Sequence, residues 1–235
     1  MSGEERESLN QRASRSIKHP LARTLLVLTF STGLVDATSY LGLGHVFTAN
    51  MTGNIVLLGF GIAGSGSLPV VAPLISLGAF LVGSGAGGAL AVRMADRHPR
   101  HFAWAIAIEV SLIAVALVVV GAVDVRPNAT SGNAVIALLA LAMGVRNATI
   151  RRIAVPDLTT TVLTMTLTGL AADSPLFGGT GKGTTRRTAA VLGMLAGALA
   201  GALLLKSGLM LPLGVAGALA FAALLLYLPA ASRGA

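Results

Sequence analysis

The chain of 235 residues is 54% hydrophobic and only 11% charged, with a mean hydropathy of +0.80, whereas soluble domains carry about 25% charged residues; it reads as an all-α integral membrane protein. The formal charge of +8 is no nucleic-acid footprint, because Lys and Arg fall in short clusters between apolar segments, the distribution that orients membrane helices. With no cysteine, disulfides, thiol catalysis and thiolate-held metals are excluded.

The first 20 residues are polar and basic (Arg6, Arg12, Arg15, Lys18) and read as a disordered cytoplasmic tail. The apolar run Leu21 to Leu43 is too long for a signal h-region and lacks an A-x-A cleavage site, so it is expected to be retained. Seven further apolar stretches follow: Val46 to Ala63, Val70 to Val92, Phe102 to Val123, Val135 to Ile150, Leu158 to Ala172, Ala189 to Leu205 and Leu209 to Leu228.

The halves resemble one another. G-L-V-D-A-T at Gly33 to Thr38 is matched by G-V-R-N-A-T at Gly144 to Thr149, and an offset of 111 residues also aligns Phe47 with Leu158 and Thr48 with Thr159. Residues 21–125 and 133–229 are therefore expected to be two copies of one membrane unit. A full span needs about 20 apolar residues, which leaves the second stretch of each half, after Asn54 and after Thr161, doubtful. If neither completes a crossing, the tail, Arg93-Arg97-Arg100, Arg151-Arg152, Lys182-Arg186-Arg187 and Arg233 share one side, leaving Arg126 and Lys206 on the other. The positive-inside rule favours that arrangement. About six spans result, as two three-helix repeats, each with a broken or re-entrant segment. An odd number per repeat turns the second copy upside down, the inverted-repeat plan of many secondary transporters.

The broken segments carry the polar residues. Thr48, Asn50, Thr52 and Asn54 alternate with small or apolar neighbours in the first; Thr159, Thr160, Thr161, Thr164, Thr166 and Thr168 supply hydroxyls in the second. Irregular backbone at membrane depth is tolerated only inside protein or beside a wet cavity, so both segments are expected to face the centre. Helix starts at such breaks suit an anion and free carbonyls a cation; the sequence leaves both open. Thr and Asn also serve simply as hydrogen-bonding glue between helices.

Asp36 lies 13 residues after Arg23, about 20 Å along a helix, hence within the hydrocarbon. Its repeat counterpart is Asn147, beside Arg146. Buried membrane charges usually have partners, so Asp36 with Arg146 is the expected pair, serving an ion or proton site or a latch. Satisfaction of Asp36 by nearby amides, and snorkelling of Arg146 towards Arg151, are the structural alternatives. Glu109 is expected near interfacial water, His45 as a turn residue, His98 and His101 as loop residues, and Asp157 and Asp173 as markers of the ends of the second broken segment. Gly83, Gly85, Gly87 and Gly88, with Gly193, Gly197 and Gly201, are spaced as packing faces between the halves or in a homodimer.

No cofactor is called for, no His, Asp and Glu set has metal-ligand spacing, and no nucleophile has a neighbouring base, so an enzyme is not expected. G-G-T-G-K-G-T at Gly178 to Thr184 lacks the upstream glycine and the Ser or Thr of a phosphate loop. Asn128-Ala129-Thr130 fits the glycosylation acceptor pattern, a frequent coincidence.

The string T-G-L-V-D-A-T-S-Y-L-G-L-G-H-V-F-T-A-N-M-T-G-N from Thr32 to Asn54, with M-G-V-R-N-A-T-I-R-R from Met143 to Arg152, resembles the YoaK-like family of bacterial inner-membrane proteins, a family of unknown function. The resemblance covers the chain from about Leu21 onwards and implies a multi-pass inner-membrane location with a duplicated helical fold. Arg146 stands where glutamine is common in that family, and L-T-M-T around Thr164 replaces the usual V-T-G-T, so the halves are not expected to carry identical sites. The resulting expectation is a secondary transporter for a small solute, with a midplane site formed by Asp36, Thr48, Asn50, Thr52, Asn54, Arg146, Asn147, Thr160, Thr161 and Thr164. The alternative is a membrane scaffold or sensor whose basic cytoplasmic loops meet lipid headgroups or a partner. Nucleic acid is not an expected partner, and the termini are expected to be cytoplasmic.

Overall fold

The computed structural model describes residues 20–66, 68–94, 98–153 and 163–232. Among these the regular structure is helical, with eight α-helices: α1 Pro20–Gly42, α2 Met51–Ile62, α3 Val71–Arg93, α4 His98–Ala122, α5 Thr130–Ile153, α6 Leu163–Ala172, α7 Thr184–Leu204 and α8 Met210–Ser232. Six of them are long and apolar enough to cross a membrane, while α2 and α6, with 12 and 10 residues, are not. This is the arrangement of six spans and two short segments that the hydropathy and the basic residues anticipate. The fifth apolar stretch, short by hydropathy, becomes a full span because the helix continues through Thr130 to Asn133 at one end and Arg151 and Arg152 at the other. Cations in a last turn suit its free carbonyls.

α1 and α5 are the interior helices. Each has 61% of its apolar window buried, against 17% to 28% for the other four spans. They also carry the polar side chains, which explains their place: in lipid each unpaired polar group costs several kcal/mol. On α1, Thr29, Thr32 and Thr38 donate to the carbonyls of Leu25, Leu28 and Leu34 at 2.7 to 2.8 Å, and on α5 Thr149 donates to Val145 at 3.0 Å.

The closest helix approaches are made through glycine and run across the halves. α1 packs on α7 and α8, and α5 on α3 and α4, while α4 also meets α8. A Cβ on Gly197 would run into the Phe30 carbonyl and one on Gly201 into Leu34; a Cβ on Gly83 would run into the Leu141 carbonyl and one on Gly87 into Val145. Gly33 abuts the Met194 carbonyl as Gly144 abuts that of Phe80. The glycines expected to pack between the halves do so within one chain, whereas Gly85 and Gly88 face open space.

These pairs fix the helix directions. Rising numbers pair with rising numbers between α1 and α7 and between α3 and α5, so both pairs are parallel. α4 and α8 are antiparallel, since Gly217 lies over Ile113 and Gly121 over Met210. The starts of α1, α4 and α7 therefore share one end with the finishes of α3, α5 and α8. An apolar cluster of Ala22, Leu25, Phe102, Ile106, Ile150, Ala190 and Ala223 closes that end, with Phe102 edge-on to Tyr227 at 4.5 Å. Arg23, Arg93, Arg100, Arg151, Arg152, Arg186 and Arg187 all belong to it. Arg126 sits at the other end, paired in the open with Asp124 at 2.7 Å.

Candidate functional site

α1 stops at Gly42, where Gly44 and His45 take left-handed backbone with φ of 109° and 58° and turn the chain back. The His45 ring stacks on Tyr40, and Tyr40 on Phe47, with centroids 5.2 and 4.8 Å apart. Residues 46–50 then run without helical hydrogen bonds at the start of α2, and their amides need acceptors. Asp36 supplies one: its Oδ1 accepts from the backbone N–H of Thr48 at 3.0 Å and of Ala49 at 2.8 Å. A carboxylate at the start of a helix also meets the positive end of its dipole. Asn50 caps α2 by accepting from the Gly53 N–H at 3.2 Å.

Asn54 holds the other side of the turn. Its Oδ1 accepts from the Phe47 N–H at 2.9 Å, and its Nδ2 donates to the Phe47 carbonyl at 2.7 Å and to Ser76 Oγ at 3.1 Å. Ser76 of α3 donates to the same carbonyl at 2.7 Å. Both Asn54 and Ser76 are buried. Phe47 is thus clamped at both backbone atoms, and Gly53 leaves room for its ring, since a Cβ there would meet the ring at 2.8 Å.

The two broken segments face a shared space. An open cleft of about 470 Å³ is lined by Tyr40, Phe47, Asn50, Thr52, Gly53, Val56, Leu57 and Thr164. A tighter cavity of about 120 Å³ is lined by Asp36, Asn50, Leu163, Thr164 and Met194. Asn50 at the start of α2 and Thr164 at the start of α6 belong to both. Neither lining includes a Lys, Arg or His.

The expected site residues therefore separate into three groups. Asp36, Asn50, Thr52 and Thr164 line the space. Thr48 and Asn54 are buried beneath it and shape the turn, and Arg146 and Asn147 lie outside the lining. Thr160 and Thr161, like Thr159 and Asp157, lie outside the described residues. The expected ion pair of Asp36 with Arg146 is not formed. Arg146 Nη1 donates instead to Glu109 Oε1 at 2.9 Å, across the α4 and α5 interface, because the Asp36 carboxylate is turned to the amides of Thr48 and Ala49. Nor does Arg146 snorkel: it is fully buried, with Nη2 donating to Thr32 Oγ1 at 2.6 Å and lying 2.7 Å from Met143 Sδ. Asn147 donates to the carbonyl of Met143 at 2.9 Å, on its own helix.

Two other expectations are corrected. Glu109, expected near interfacial water, is fully buried, and His101, expected in a loop, is 2% exposed within α4 and lies 3.4 Å from Thr149 Oγ1. Hydropathy places both near a span's end, whereas α4 begins at His98 and its packing on α5 turns these side chains inward. Asp173 ends α6 as expected and pairs with Arg187 at 2.7 Å. Ser76, Thr32 and Met194 have no sequence signal that separates them from ordinary span residues.

Across residues 24–228 the chain matches the family described as Protein of unknown function (DUF1275). It belongs to that family. It is also 34% identical over 151 residues to the UPF0700 transmembrane protein YoaK of Bacillus subtilis (strain 168), a match spanning 63% of this chain and 65% of that protein. No solved structure matches the chain. A DUF1275 member with six candidate spans is a multi-pass membrane protein.

Proposed function

We propose that this DUF1275 protein is a secondary transporter for a small solute, bound where the two broken segments meet. One observation carries the reading: Asn50 and Thr164, from broken segments in different halves of the chain, line the same two adjoining cavities, with Asp36 in the tighter one. Convergent polar groups on pre-formed concave walls are the usual mark of a small-molecule site, and helices interrupted near mid-membrane are where many transporters bind.

An inverted repeat is part of the proposal. It is supported by glycine contacts that recur across the halves: Phe30 and Leu34 against Gly197 and Gly201 repeat as Leu141 and Val145 against Gly83 and Gly87. The α1 positions are related to those of α5 by the 111-residue offset of the sequence motifs, and those of α3 to α7 by 114. The two parallel pairs run in opposite directions, as a two-fold axis in the membrane plane requires. The arginine-rich end is assigned to the cytoplasm of a bacterial inner membrane on the positive-inside rule, with both termini there.

The experiment begins with a ligand-stabilisation screen of the purified protein, since a ligand of the native state raises its melting temperature. A stabilising solute is then assayed for flux in proteoliposomes. The expected result is flux in the wild type that Asp36→Asn and Asn50→Ala abolish while both variants remain folded and inserted. Flux unchanged in both variants would remove these residues from the site.

The gathering of arginines at one end favours a second reading, a scaffold or sensor that binds anionic headgroups. Salt-sensitive binding of anionic lipid, without any stabilising solute or flux, would favour it over transport.

A further inference from the structure

A line of buried polar side chains runs from the arginine-rich end of the bundle to the candidate site, across α4, α5 and α1. At that end His101 of α4 lies 3.4 Å from Thr149 Oγ1 of α5. One helical turn deeper on the same face of α5, Arg146 donates to Glu109 Oε1 at 2.9 Å and to Thr32 Oγ1 of α1 at 2.6 Å. One turn further along α1 stands Asp36. Each of these six side chains is at least 96% buried. Glu109 is the unfinished member: its Oε2 is fully buried and makes no hydrogen bond, as is the case for Arg146 Nε beside it.

A buried carboxylate oxygen without a donor carries a large penalty, and proton relays are among the functions that ionisable groups within spans serve. We infer that Glu109 Oε2 is a proton-binding site, loaded from the arginine-rich end through His101 and Thr149 and unloaded through Thr32 onto Asp36. The ligand is the proton itself.

The transfer balances. The His101 imidazolium gives its proton to the Thr149 hydroxyl, which turns from the Val145 carbonyl, releases its own proton towards Glu109 and leaves a neutral imidazole. The Glu109 carboxylic acid then gives its proton to the Asp36 carboxylate through the Thr32 hydroxyl, which turns in the same way from the Leu28 carbonyl. The inference requires one water at each turn-length step of the line, between Thr149 and Glu109 and between Thr32 and Asp36. Arg146 stays charged throughout; protonation of Glu109 releases its hold on Nη1, which ties occupancy of the proton site to the α4 and α5 contact.

The other groups facing Glu109 bear on the same titration. From α5 comes Arg146, from α1 Asp36 through Thr32, and from α4 itself His101. α8 carries no acidic or basic side chain, and its Tyr227 packs on Phe102 at the arginine-rich end. The line has no copy in the other half, because Val35 stands at the position equivalent to Arg146 and Met143 at that of Thr32.

The inference takes its purpose from the transport reading, but its test needs no solute. Purified full-length protein is taken through a rapid acid jump while infrared spectroscopy follows the protonated carboxyl C=O stretch. The seven carboxylates other than Asp36 and Glu109 also take up protons, so the band read is the high-frequency one of a carboxylic acid held away from water, which should persist in Asp36→Asn and be missing in Glu109→Gln. Its rise should slow by about 100-fold, the lower range of what a positioned proton relay contributes, in Thr149→Val and His101→Phe, with Thr149→Ser restoring the wild-type rate. Absence of that high-frequency band in Asp36→Asn, or an unchanged rise in Thr149→Val, overturns the inference. Thr149→Val lies outside the ion pair, and, since Asp36 and Glu109 are the buried acids among the described residues, the high-frequency band surviving in Asp36→Asn identifies Glu109 should Glu109→Gln not fold. Absence of any stabilising solute and of any flux would remove the transport reading and leave the proton site standing.

Discussion

Arg146 and Glu109 form a fully buried ion pair across α4 and α5 at 2.9 Å, and Thr32 of α1 is the further polar contact of the guanidinium. Breaking such a pair from one side leaves an uncompensated charge, at about 3–5 kcal/mol, whereas replacing both partners by apolar residues is often neutral. Glu109→Leu and Arg146→Met should each lower the unfolding transition markedly in detergent, and the double variant should recover most of the loss. A double variant as unstable as the sum of the singles would show that the two charges act separately.

The turn at Phe47 gives a second prediction. Asn54→Ala removes three hydrogen bonds from one fully buried side chain, and leaving buried backbone groups unpaired costs about 1–3 kcal/mol each. The variant should be clearly destabilised, Ser76→Ala less so, because Asn54 still reaches the Phe47 carbonyl. Thermal melts of both variants check the order.

Glycine contacts give a third. Gly144→Ala and Gly197→Ala push a methyl group into a neighbouring carbonyl, with an overpacking penalty of about 1–3 kcal/mol. Gly85→Ala and Gly88→Ala meet open space and should leave the melting temperature unchanged or slightly raised, since alanine is the better helix former. A drop for the second pair equal to the first would point to contacts outside the single chain.

The approach of the broken segments gives a fourth. The chain has no native cysteine, so Asn50→Cys with Thr164→Cys needs no background substitution. A short bifunctional maleimide should join the two, because both side chains line the same cavities, while Asn147→Cys with Asn50→Cys should not react. Cross-linking in the second pair alone would separate the segments.

Single cysteines also test the ends of the bundle. Arg100→Cys and Arg151→Cys should react with an impermeant thiol reagent from one side of the membrane and Arg126→Cys from the other. Reaction of all three from the same side would undo the helix directions described above.

Hydropathy made the spans readable because lipid imposes a length on any helix that crosses it, and the shortness of the segments after Asn54 and before Ala172 marked α2 and α6. The glycine spacing foretold close helix contacts, since only a residue without a side chain admits a neighbouring carbonyl. Partner choice was harder to read. Arg146 and Glu109 are far apart in sequence, and which face of α4 meets α5 depends on helix rotation, which apolar periodicity leaves open when both faces are greasy. Asp36 was legible as an unusual residue, and its satisfaction by nearby amides was one of the two readings of it; which amides they are was not, because the contact with Thr48 and Ala49 depends on the left-handed turn at Gly44 and His45.

The crossed packing of the halves has a consequence for biogenesis. α1 is made before the helices that cover it, α7 and α8. Thr29 and Thr32 can bond at once within α1, and Asp36 can take up the Thr48 and Ala49 amides soon after, but the face that receives Gly197 and Gly201 stays without its partners until the second half is inserted. Truncated chains ending before α7 should accordingly be prime targets for quality-control proteolysis.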